Sequence, residues 1–258
     1  NWDIRQANNG IIYIANNEGL LSFDGTYWKV YPLPNKTIVR SVEIAADNNI
    51  YAGGQDELGF FAPAPNGKLV YNSLTDLIPG KDRNFGDVWD IVSVKNDIFF
   101  RPPHKIFKLT NRSFRTYEAP AEWSFMGMCN GRLYAHDVKT GLFVFENDGW
   151  FPLSANSELP VNDLITAILP VNKGSALITT LKNGLFTLTS GGITKIKTAN
   201  NSIFEKERIY AATTVNKEWI ALATNNSGVY ITDQQGQIIQ TFSKTEGLQN
   251  NNVLSIFL

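Results

Sequence analysis

Asn8-Asn9-Gly10-Ile11-Ile12-Tyr13-Ile14-Ala15, followed at once by Asn16-Asn17-Glu18-Gly19-Leu20-Leu21-Ser22-Phe23, is the phrase that decides the fold. It is a polar turn, an apolar strand, a polar loop closed by glycine, and a second apolar strand. Hairpin turns between twisted strands need positive φ, which Asn-Gly, Asp-Gly and Gly supply at little steric cost. The phrase returns as Asp47-Asn48-Asn49-Ile50-Tyr51-Ala52-Gly53 with Leu58-Gly59-Phe60-Phe61, and in worn form as Asn96-Asp97-Ile98-Phe99-Phe100 with Lys105-Ile106-Phe107-Lys108-Leu109. It returns again as Asn130-Gly131-Arg132-Leu133-Tyr134-Ala135 with Gly141-Leu142-Phe143-Val144-Phe145. The fifth copy is Lys173-Gly174-Ser175-Ala176-Leu177-Ile178-Thr179 with Gly184-Leu185-Phe186-Thr187-Leu188. The sixth is Asn216-Lys217-Glu218-Trp219-Ile220-Ala221-Leu222 with Gly228-Val229-Tyr230-Ile231.

The loop glycines Gly19, Gly59, Gly141, Gly184 and Gly228 repeat at about 42 residues, with Lys105 holding the place in the worn copy. An apolar strand precedes each phrase, from Trp2-Asp3-Ile4 through Val39-Arg40-Ser41-Val42 to Ile209-Tyr210-Ala211-Ala212. Another follows, as in Trp28-Lys29-Val30-Tyr31 and Ile193-Thr194-Lys195-Ile196. Four strands per copy at this period predict an all-β propeller of four-stranded antiparallel blades. First strands are expected to start near residues 2, 40, 89, 124, 166, 210 and 254. Val253-Leu254-Ser255-Ile256 reads as the start of a seventh blade, with the alternative that it augments the first blade of a six-bladed ring. No stretch shows a sustained helical period, and Thr37 to Ala46, which could pass for a helix, takes strand from its place in the repeat.

Composition agrees with this reading. Residues 1–258 are expected to form one closed β domain, since 43% of them are hydrophobic and 18% charged. Net charge is −1 and no basic block stands out, which leaves no footprint for nucleic acid or an anionic membrane. No apolar run approaches the roughly 20 residues of a membrane helix. The chain opens in mid-pattern at Asn1-Trp2-Asp3-Ile4, which suggests a piece of a longer protein. Cys129 is the one cysteine and, in an apolar run, reads as a buried small hydrophobe.

Chemical motifs are scarce. His104 and His136 are both assigned to loops between second and third strands, where solvent-facing histidines are the plain reading and a metal pair the sharper one. There is no Gly-x-Ser-x-Gly, His-Glu-x-x-His or phosphate loop, so no cofactor and no metal is expected. Asp56 with Glu57, or Asp87 with Asp90, could form a glycosidase pair, or could be solvated loop charges.

Position in the blade is more informative. Loops entering the first strand and loops joining second to third strands share one face of a propeller. The column at the first-strand start reads Trp2, Arg40, Trp89, Ser124, Thr166, Tyr210. Aromatic faces stack on sugar rings and arginine forks to hydroxyls or a carboxylate. Trp2, Arg40, Trp89 and Tyr210 are therefore candidate ligand contacts, with Gln55, Asp56, Arg101 and His136 around the rim; the alternative is that the rings plug the channel.

The repeated phrase, together with Asn17-Glu18-Gly19-Leu20-Leu21-Ser22-Phe23-Asp24-Gly25 before Trp28 and the closing Gly247-Leu248-Gln249-Asn250-Asn251-Asn252-Val253-Leu254-Ser255-Ile256, resembles the two-component regulator propeller repeat. The resemblance covers nearly the whole chain and is weakest in the third copy. It implies the periplasmic sensor domain of a membrane-spanning transcription regulator, many of which respond to oligosaccharides. Kinase or helix-turn-helix modules would lie downstream, and self-association or a neighbouring propeller would be natural partners. A non-enzymatic role follows. The rivals are a protein-interaction propeller without a small ligand and a glycan-cleaving or lyase propeller. The streptogramin-lyase type of propeller relies on histidine chemistry, which two histidines serve poorly.

Overall fold

A computed structural model describes residues 1–153, 156–171 and 174–257. Lys173, which opens the fifth copy, and Leu258 lie outside the described residues. The chain is an all-β propeller of six blades, each built on four antiparallel strands in sequence order. The opening phrase forms the middle of the first blade. Ile12–Asn16 and Gly19–Phe23 pair between Asp3–Gln6 and Trp28–Tyr31. Six of the seven expected first strands are found, beginning at Asp3, Val39, Asp90, Trp123, Ile165 and Ile209, each within one residue of expectation; the seventh, expected near residue 254, is not among the described strands. Residues Val253–Phe257 carry no strand; Val253 N–H donates to Thr224 O at 2.9 Å.

Two compact units make up the chain, Asn1–Met126 and Gly127–Leu258. In the first unit, alternation along the strands buries two apolar layers between successive blades. One gathers Tyr13, Leu20, Val39, Val42, Ile50 and Phe61; the other gathers Leu58, Ile78, Val88, Ile91, Phe100 and Phe107. In the second unit, Leu177, Leu185, Ile209, Ile220 and Leu222 form a comparable layer around Phe204.

Polar straps join neighbouring first strands in the first unit. Val42 N–H donates to Asp3 Oδ2 at 3.1 Å, Ser93 Oγ–H to Glu43 Oε1 at 2.6 Å, and Met126 N–H to Asp90 Oδ2 at 2.8 Å. In each case a carboxylate of one blade accepts from the next, which satisfies groups that would be costly to bury alone.

Three elements depart from the sequence reading. The worn third copy is a complete blade, Asp90–Val94, Asp97–Arg101, Lys105–Thr110 and Ser113–Glu118. Its period is stretched by a connection holding short 3-10 turns at Thr75–Leu77 and Gly80–Asp82. That connection brings Asp82 to Lys105, which also lies 3.4 Å from Glu118, so an ion pair stands where the other copies have glycine. An α-helix, Asn201–Glu207, precedes the sixth blade and buries Phe204. Finally, Asn156–Ser157 pairs in parallel with Gly192–Lys195, making the fifth blade five-stranded.

Candidate functional site

Within the first unit, three of the predicted residues meet. Trp2 lies just before Asp3–Gln6, Arg40 is the second residue of Val39–Ile44, and Trp89 immediately precedes Asp90–Val94. Equivalent places in successive blades bring residues far apart in sequence to one spot. The Arg40 guanidinium carbon lies 4.2 Å from the Trp2 ring centroid and 4.9 Å from that of Trp89. The two indoles meet edge-on, 6.1 Å apart at 82°. A cation between two π faces is held by about 1–2 kcal/mol when desolvated.

The stack is braced from outside. Trp2 Nε1–H donates to Asn17 Oδ1 at 2.8 Å. Asp87 Oδ2 stands 3.3 Å from Arg40 Nε, yet Nε and Nη1 are both buried without a hydrogen-bond partner. Trp89 keeps 37% of its surface exposed, so one large apolar surface beside a cation faces solvent.

Gln55 and Asp56 position this stack from the second blade. Gln55 bridges to Asp87, and its carbonyl accepts from Asn35 Nδ2 at 3.1 Å. Asp56 sits at φ 51°, and its Oδ1 accepts the Phe85 and Gly86 N–H groups, each at 2.7 Å. Val88 N–H donates to Gly54 O at 3.0 Å. These bonds anchor the chain that delivers Asp87 and Trp89.

Arg101 and His136 are not rim residues. Arg101 ends its strand buried, with Nε 2.5 Å from Asp90 Oδ2 and an Nη1–H donated to Trp123 O at 2.7 Å. His136 lies within Arg132–Asp137 and is 2% exposed. Burial pushes its pKa down to about 4, against the opposite pull of Asp137 and Asp163. His136 and Tyr210 belong to the second unit, Tyr210 half-buried near the start of Ile209–Thr214. His104 is exposed, its Nδ1 3.2 Å from Ala121 O.

Nor are the paired carboxylates simple solvated charges. Asp56 holds backbone N–H groups, Asp87 faces Arg40, and Asp90 is shared by Arg101 and Met126. Glu57 is buried, and its Oε1 accepts from the Tyr71 hydroxyl at 3.1 Å and the Ser73 hydroxyl at 2.7 Å. Tyr71 is pushed above its ordinary range by burial first and by Glu57 second. Asn17 and Asn35 were missed as site residues, and Asp87, singled out as half of a carboxylate pair, serves instead as the partner of Arg40. Among the described residues no group of three or more His, Cys, Asp and Glu is arranged to hold a metal.

No family model matches the chain, and no curated protein matches it. Solved structures do. The extracellular domain of a hybrid two component system, BT4673 from B. thetaiotaomicron, is similar over 98% of this chain and 35% of that one, with 18% identity and a TM-score of 0.74. This chain therefore spans about a third of that domain. Virginiamycin B lyase from Staphylococcus aureus is similar over 92% of this chain and 82% of its own, with 18% identity and a TM-score of 0.69. The WD40 beta propeller domain of Doa1 is similar over 98% and 84%, with 12% identity and a TM-score of 0.71. At these identities the likeness is one of fold, and the fold shared by all three is the propeller.

Proposed function

We propose that this chain is a sensing segment of a membrane-spanning signalling regulator, exposed outside the cytoplasm, and that it binds an oligosaccharide without transforming it. The observation that carries this reading is the Trp2–Arg40–Trp89 stack, where a part-exposed indole and a cation lie side by side. A sugar offers an apolar ring face to the first and hydroxyls or a carboxylate to the second. The likeness to an extracellular two component domain supports the sensing role. No helix among the described residues is long and apolar enough to cross a membrane, so an anchor would belong to another part of the protein. Val253–Ile256 would then open a further blade, and a neighbouring propeller or a second copy would receive the signal. The Gln55 side chain would add contacts; Asp56 acts by holding the loop.

A panel of polysaccharide-derived oligosaccharides, assayed for turnover and for thermal shift, tests the proposal. A shift without turnover is expected. Trp89→Ala should weaken the cognate ligand by about 1–3 kcal/mol, roughly five- to hundred-fold. Normal binding by both Trp89→Ala and Arg40→Ala, with only stability reduced, would show that the stack is packing. Turnover that disappears in Asp56→Asn would favour the glycan-cleaving alternative.

A further inference from the structure

The first unit carries a second concavity, at the opposite end of the opening strand Asp3–Gln6 from Trp2. It is a cleft of about 440 Å³ between the first and second blades, which is ample for a small organic ligand. Its two walls differ in chemistry. On the first blade Tyr13 pairs across strands with Ser22, and Ser22 with Lys29. Directly opposed residues share a face, so two hydroxyls and an ammonium form one row about 10 Å long. The facing wall is aliphatic, from Ile44, Ile50 and Leu69 of the second blade.

The polar atoms of the row face the cleft, and Lys29 is exposed at its outer end. Tyr13 is 6% exposed and Ser22 8% exposed, yet among the described residues none hydrogen-bonds the Tyr13 phenol, the Ser22 hydroxyl or the Lys29 ammonium. Neither oxygen is among the buried polar atoms left without a partner, so both open on the cleft and are served by whatever fills it, solvent included. Tyr13 is held above its ordinary pKa by burial and by Tyr31, so its phenol remains a donor at neutral pH. The one carboxylate lining the cleft, Asp24, turns its Oδ1 to the Thr26 and Tyr27 N–H groups at 2.9 and 2.8 Å; those bonds chiefly, and Lys29 in lesser measure, hold its pKa below the ordinary value.

We propose that this cleft binds a small amphiphilic carboxylate, its head group received by Ser22 and Lys29 with Tyr13 beside them, and its apolar body lying on Ile44, Ile50 and Leu69. A row that offers donors selects an acceptor, the single cation selects negative charge, and the aliphatic wall selects an alkyl or aryl body over a bare anion. The site is separate from the Trp2–Arg40–Trp89 stack and does not depend on its role.

Octanoate and phenylbutyrate are suitable probes, titrated into the isotopically labelled chain while backbone amide resonances are followed. Octanamide tests the head group and acetate tests the body. Expected are shifts centred on Ser22, Lys29 and Ile50 with both carboxylates, at least about tenfold weaker binding of octanamide and of acetate, and a similar loss in Lys29→Met that Lys29→Arg restores. Tyr13→Phe should weaken binding less, and Trp89→Ala should leave it unchanged. Equal binding of octanamide, shifts centred elsewhere, or no shift with either carboxylate in a folded chain would overturn the proposal.

Discussion

His136 shows at the residue scale how burial turns an ionisable group into a stability term. Its pKa is about 4 in the folded chain against an ordinary 6.5, with burial as the leading cause. Because the folded value is the lower one, the unfolded chain takes up the proton first as pH falls. Stability is therefore full above pH 6.5 and declines between 6.5 and about 4, by roughly 3 kcal/mol at most. Urea midpoints at pH 7 and pH 4.5 should diverge more in the native chain than in His136→Gln; equal divergence would contradict the assignment. Glu57 supplies a second residue-scale test. Tyr71→Phe removes a donor to a buried carboxylate and should cost about 1.5–3 kcal/mol by urea unfolding. These two residues also mark what was hard to read in the sequence. His136 and Arg101 are polar residues near strand ends and read as loop, but the strands Arg132–Asp137 and Asp97–Arg101 run on to include them. What buries Arg101 is Asp90 and the Trp123 carbonyl, 11 and 22 residues away, and no local pattern encodes such partners.

Elements were legible in proportion to their length and periodicity. Strands recurring every 42 residues or so announced themselves through alternation and turn glycines. The helix Asn201–Glu207 has seven residues, too few to display a period, and its Asn-Asn-Ser opening reads as turn. Asn156–Ser157 is shorter still. The loop glycines were legible as a class but differ in what they do. Gly141 has φ 92° with open space around the site of a Cβ, whereas at Gly228, φ 80°, a Cβ would run into the Phe242 carbonyl oxygen. Gly141→Ala should therefore cost about 1–2 kcal/mol, from backbone conformation alone. Gly228→Ala should cost roughly 3 kcal/mol or more, because the strand Ile238–Phe242 must move as well. Chemical denaturation of the two variants gives the comparison, and equal losses would mean that the sixth blade's last strand yields freely.

For the whole molecule, the single thiol is a reporter of opening. Cys129 is buried, and burial pushes its pKa up to about 11. The reactive thiolate is thus both scarce and shielded. A thiol reagent at pH 8 should leave the native chain unlabelled and label it fully in denaturant; rapid native labelling would show that the strand Trp123–Cys129 opens on its own. The paired indoles have a different consequence, an optical one. Two identical chromophores 6.1 Å apart and nearly perpendicular couple their excited states. Trp2 and Trp89 should therefore add a two-signed band to the far-ultraviolet circular dichroism, overlaid on the signal of the strands. A spectrum taken at face value would misstate the β content, whereas the difference between the native chain and Trp2→Phe isolates the couplet. Any molecule that parts the two rings would then be visible without a label.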